Sequence, residues 1–332
     1  MRRPRALAAP GRPGLYHVCS RVVDRRVIFC ERERRKFMDI IKGGAIFAGV
    51  DLVSWCLMGN HFHLLVRVMP QDSESLSDEE VLARMEHIYP EPKMRHLRGV
   101  WERIAEEKGR SGFLAPYRAR MGVLSEFVKT LKQRFTQWFN CRNDREGTLW
   151  EGRFHSVLLS HHEEEDGQGL GLLARFVAGY IDLNPVRAAI VRDAGQSAWN
   201  GFGAALRGDA EGLAGIRILW GDEVTEAMDA EAVLVLHSRM LERAFFRGRE
   251  QCRQESPRTG GLRRISKVEA GEQPPVPNHE RRGGVENRSE NEKAMVSPET
   301  LETNLLAMMG ERCLALTKGH ALGRRWVMTQ AG

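Results

Sequence analysis

The 332 residues carry 42% apolar and 28% charged side chains, the balance of a globular chain with room for one large domain and an extension. No run approaches the roughly 20 apolar residues that span a bilayer, and residues 6–9 are too few for a signal-peptide core. A cytoplasmic protein without a membrane partner is therefore expected. The formal net charge of +6 is unevenly spread. Residues 1–36 hold eleven Arg or Lys against three acids, and residues 118–153 hold eight against four. Either block alone reads equally well as solvated surface, but two blocks around a histidine motif favour a phosphate backbone as partner. The six cysteines form no CxxC pair, which argues against a zinc finger and a dense disulfide framework.

In chain order, residues 1–14 are rich in Arg, Pro and Gly and read as a flexible basic arm. Residues 15–23 have the β-branched and aromatic content of a strand. Residues 31–49 read as a helix, with Phe37, Ile40, Ile41 and Ala45 at helical spacing and Gly43–Gly44 as a weak point. Strands follow at 51–58 and 61–69, joined by the turn pair Gly59–Asn60. Residues 70–116 are acidic, then proline-containing, then charged, and read as an insertion or lid outside the sheet. Residues 124–139 form an amphipathic helix, residues 149–159 a turn entering a strand, and residues 170–184 a helix stopped by Pro185. Beyond 201 the pattern weakens: 201–254 reads as a helical extension, 255–297 as a disordered linker, and 298–332 as a small helical segment.

His61 and His63 open an apolar strand. Alternation puts both imidazoles on one face and Phe62 on the other, so the pair can chelate one divalent cation. So short a pattern is more often ordinary strand-edge polarity. Further along, Tyr180 and Asn184 lie at i and i+4, neighbours on one helix face. Asn184 offers a neutral oxygen to a hard cation, and Tyr180 a phenol that such a cation activates as nucleophile. Taken alone, this segment fits a core tyrosine and a helix stop better.

Five blocks occur in order: LYHVCSRVVDRRVIF, WCLMGNHFHLLV, LSEFVKTLKQRFTQWFN, GTLWEGRFHSVLL and YIDLNPVRAAIV. Together they resemble the REP-associated tyrosine transposases, a branch of the IS200-like single-tyrosine HUH transposases, over residues 15–200. The resemblance implies an α+β fold, a ferredoxin-like antiparallel sheet with helices mainly on one face. It implies a metal-dependent single-strand DNA endonuclease and strand transferase, with Tyr180 as nucleophile and a 5′-phosphotyrosine intermediate. It also implies His61, His63 and Asn184 as ligands of Mg²⁺ or Mn²⁺, and a hairpin-forming, REP-like DNA partner acted on by a monomer or homodimer. Candidate DNA contacts are Arg21, Arg25, Arg26, Lys129, Lys132, Arg134, Trp150 and Arg153. Each basic residue also reads as surface charge, and Trp150 equally as core. The length of the 70–116 insertion and the acidic run at 163–166 depart from the family pattern. The alternative function is a domesticated DNA-binding regulator with the same fold and no cleavage; a water-activated phosphodiesterase is a further rival.

Overall fold

The computed structural model describes residues 6–9, 11–70, 76–159, 171–224 and 228–254. The expected linker at 255–297, the segment at 298–332 and the acidic run at 163–166 lie outside the described residues. In chain order the elements are β1 (Gly14–Arg21), α1 (Glu31–Ala48), β2 (Val50–Leu57) and β3 (His61–Val68). Then come α2 (Asp78–Glu86), α3 (Glu91–Arg103), α4 (Glu107–Arg118), α5 (Leu124–Arg142) and β4 (His155–Leu159). Last are α6 (Gly171–Asp182), α7 (Asn184–Arg187), α8 (Gly201–Leu206), α9 (Ala210–Trp220) and α10 (Ala230–Gln254).

The four strands make one sheet in the order β2-β3-β1-β4, with every adjacent pair antiparallel. With α1 joining β1 to β2 and α5 lying between β3 and β4, this is the ferredoxin-like arrangement expected from the sequence. Alternation along β3 sends Phe62, Leu64 and Val66 into a core shared with Phe37 and Ile41 of α1 and with Phe127, Leu131 and Phe135 of α5. Leu65 of β3, with Val53 and Cys56 of β2, enters a second core with Val177, Ala178 and Ile181 of α6 and Phe202, Ile216 and Leu219 of α8 and α9. The two helices of the ferredoxin-like unit thus share one face, and α6, α8 and α9 add a layer over the β2 side of the other.

The insertion is a folded block with its own core. Val81, Leu82 and Met85 of α2 pack with Met94 and Leu97 of α3, Leu114 of α4 and Phe47 of α1. Burying such side chains stabilises by about 2 kcal/mol each. Ser77 and Glu80 form a capping box that starts α2: the Ser77 hydroxyl accepts from the Glu80 N–H, and the Glu80 carboxylate accepts from the Ser77 N–H at 2.8 Å.

Pro185 does not end the helical path as expected. It falls in the first turn of α7, where its missing N–H costs nothing, and the chain continues helically to Arg187. Among the described residues, no helix is long and apolar enough to cross a membrane.

Candidate functional site

The first strand step of β3 places both histidines on the sheet face that carries α6. Their ring centres are 5.1 Å apart with planes at 86°. Both are nearly buried, at 9% and 7% exposure. Asn60, in the tight turn before β3, anchors the first of them. Its Oδ1 lies 2.7 Å from His61 Nδ1, and its Nδ2 donates to the Arg25 carbonyl at 2.8 Å.

A third imidazole joins them from β1. Cys19 is the register partner of His63, so His17, two residues earlier, projects from the neighbouring strand on the same face. His17 Nε2 lies 3.0 Å from His63 Nδ1, with the rings stacked at 5.2 Å. On the other flank of His63 the register partner is Cys56 of β2, fully buried. Burial pushes its thiol pKa well above the ordinary range.

Tyr180 comes from α6, far along the chain. Its ring centre is 5.7 Å from that of His63 and 6.0 Å from that of His17, edge-on to both. The Arg187 guanidinium of α7 lies 5.0 Å from the same ring centre. Asn184 is buried at the α6–α7 junction, where Nδ2 donates to the Tyr180 carbonyl at 2.9 Å. Its amide therefore takes part in closing the helix. Among the described residues, no three His, Cys, Asp or Glu side chains are grouped to hold a metal ion.

What fixes α6 is a buried polar cluster. Asp182, two residues after Tyr180, is 1% exposed. Its Oδ2 lies 3.1 Å from Nε2 of His237 on α10, and its Oδ1 accepts from the Phe202 N–H at 3.2 Å and the Ser54 hydroxyl at 3.4 Å. The Trp220 indole N–H donates to His237 Nδ1 at 3.4 Å, so an Nε2–H imidazole satisfies both partners.

The other sequence candidates divide into two groups. Arg21 is the register partner of His61, and Arg25 and Arg26 occupy the exposed loop after β1. Lys129, Lys132 and Arg134 lie on α5, on the opposite side of the sheet. Arg153 is exposed before β4. Trp150 is 5% exposed among Phe29, Phe37, Phe62 and Phe135, with its indole N–H donated to the Lys132 carbonyl and Thr136 Oγ1. Its ring belongs to the core and is closed to a stacking base.

Sequence reasoning missed His17, Arg187 and the Asp182–His237 pair. The signals were present but indirect: His17 shares its strand face with Cys19 and Arg21, and Arg187 follows Tyr180 at i+7 in the same motif.

No protein-family model matches the chain, and no curated protein sequence does. A solved structure of the REP-associated tyrosine transposase bound to a REP hairpin is similar to it at 14% identity and a TM-score of 0.39, covering 68% of this chain and 94% of that one. A likeness this distant leaves the functional reading to the residues of the site.

Proposed function

We propose that the protein cuts and rejoins single-stranded, hairpin-forming DNA through a covalent bond to Tyr180, with a divalent cation held by His61 and His63. The observation that carries this reading is the convergence of Tyr180 with the paired histidines on one sheet face, although α6 and β3 are remote in sequence.

The donor set suits the ion. His61 and His63, on one face of β3 with ring centres 5.1 Å apart, would hold the ion. Nδ1 of His61 faces Asn60 and Nδ1 of His63 faces His17, an arrangement that directs each Nε2 lone pair outward. Mg²⁺ or Mn²⁺ with additional oxygen ligands would supply polarisation of the phosphodiester.

The chain's own residues account for the remainder. Tyr180 Oη forms a bond to phosphorus as the P–O3′ bond breaks; the phenol proton is lost and the departing 3′ oxygen gains one. The product is a 5′-phosphotyrosine and a free 3′-OH. Rejoining is the same displacement in reverse, so no nucleotide hydrolysis is required. The Arg187 guanidinium, 5.0 Å from the Tyr180 ring centre, puts a positive charge beside the nucleophile that can attract the scissile phosphate. Arg21, beside His61, is suited to a DNA phosphate.

The test uses a hairpin oligonucleotide with a single-stranded flank, labelled at its 3′ end, with Mn²⁺. A denaturation-resistant protein–DNA adduct is expected from the wild type and none from Tyr180→Phe. An adduct that survives Tyr180→Phe removes the tyrosine assignment. Cleavage without any adduct points to activated water, and hairpin binding without cleavage points to a DNA-binding regulator.

A further inference from the structure

The inserted helices and α5 enclose a cleft of about 720 Å³ on the side of the sheet opposite the histidines. Lys36, Lys93, Arg120, Lys129 and Arg134 line it, against one carboxylate, Glu126. Glu126 is already paired with Lys129 at 3.1 Å. Among the described residues, Lys36, Lys93, Arg120 and Arg134 make no ion pair with a carboxylate. Lys93, Arg120 and Arg134 are nonetheless held in place. Lys93 sits 4.1 Å and Arg134 5.8 Å from the Tyr89 ring centre, and Arg120 donates to the Tyr89 hydroxyl at 2.9 Å and Thr130 Oγ1 at 3.0 Å. Burial, with the charge of neighbouring Arg120 adding to it, holds the Arg134 guanidinium below its ordinary pKa. Ordered cations gathered without counterions define a site for an anion.

The cleft has an extension. A second hollow of about 630 Å³ shares Glu126, Lys129, Gln133 and Gln137 with the first and runs to Trp150, Arg153 and Phe154. There the Glu151 N–H donates to the Arg21 carbonyl at 2.9 Å, and Arg21 is the register partner of His61. A cationic track therefore leads from the insertion, across α5, to the end of the sheet that carries the candidate active site.

We infer that this track holds the phosphate backbone of a DNA segment lying beyond the reaction centre, without reading its bases. The inference rests on the DNA-processing reading above and adds a second contact region, built partly by the insertion. Backbone contact follows from the aromatic arrangement. Tyr89 carries cations on its ring, Trp150 is buried, and half-buried Trp138 stacks on Phe135 with the Arg32 guanidinium 6.0 Å from its ring centre, so each ring already has partners. Lysine and arginine over amide and hydroxyl side chains match phosphate oxygens.

The experiment measures binding of labelled single-stranded oligonucleotides of unrelated sequence to the full chain as a function of salt. Lys36→Gln/Lys93→Gln should lower the slope of log K against log salt by about 1.4, about 0.7 for each lost phosphate contact. The loss should be equal for every sequence, and Lys36→Arg/Lys93→Arg should restore the slope. A double Gln variant with the wild-type melting temperature and an unchanged slope overturns the inference. So does a loss confined to anionic phospholipid vesicles, which would assign the cleft to a lipid headgroup. The adduct assay separates the two readings. An adduct with an unchanged slope removes the track alone; a reduced slope with no adduct from the wild type removes the cleavage reading alone.

Discussion

His17 Nε2 and His63 Nδ1 stand 3.0 Å apart across the β1–β3 ladder, and Tyr180 packs edge-on against both rings. If His63 binds metal through Nε2, its Nδ1–H must donate to His17, making His17 a positioning residue. His17→Phe is therefore expected to weaken Mn²⁺ binding by roughly 10–100-fold. His17→Gln, whose side-chain oxygen can accept the same bond, should recover most of the affinity. Titration calorimetry with Mn²⁺ reads this directly, and equal affinities for wild type and His17→Phe would dismiss the role.

The Asp182–His237 pair is buried on both sides, at 1% exposure each. Removing the imidazole strands a buried carboxylate, so His237→Ala should cost about 3 kcal/mol. Because Asp182 lies two residues from Tyr180, the variant should also lose adduct formation at temperatures where it remains folded. Urea unfolding combined with the adduct assay checks both effects. A variant that loses stability but forms adduct at the wild-type rate would limit the pair to a stabilising role.

Gly43 lies within α1, where alanine would ordinarily gain about 1 kcal/mol. A Cβ at this position would fall 2.3 Å from the His87 carbonyl, at the end of α2. Gly43→Ala is expected to lower the melting temperature, since that carbonyl belongs to the backbone and must move. A rise in melting temperature would mean that the insertion does not rest closely on α1.

Trp150→Ala should destabilise by about 3–5 kcal/mol as a buried aromatic truncation, and Trp150→Phe by less, through the lost indole hydrogen bonds. Oligonucleotide affinity of folded Trp150→Phe should stay at the wild-type level. A selective loss of single-strand affinity without a loss of stability would restore the stacking role.

The strands and long helices were legible within a few residues because each obeys one period. Phe62, Leu64 and Val66 alternate, and Phe127, Leu131 and Phe135 recur by turns. The histidine pair and the tyrosine were legible as motifs. Their contact was not, since it depends on α6 packing over β3, a relation that no local pattern encodes. His17 escaped for a related reason: only the register of Cys19 against His63 brings it into place. Trp150 was ambiguous because an indole serves a core or a base equally well, and here Thr136 and the Lys132 carbonyl decide it. The region after 201 gave a weak signal because α9 meets β2 partly through glycines, beside the buried Ile216, Leu219 and Trp220. Gly215 would place a Cβ 2.5 Å from the Val53 carbonyl, so helix and strand meet there backbone to backbone, a contact that leaves no apolar side chain to read.

The position of His237 in the chain also bears on synthesis. The histidines and the tyrosine leave the ribosome well before α10, and until α10 emerges the buried Asp182 has Ser54 and Phe202 as partners but lacks the His237 imidazole. A nascent chain is thus expected to carry every reactive group without the closure that aligns them. On the proposed reading, a product that stops before α10 would keep His61, His63 and Tyr180 but lose the His237 contact to Asp182.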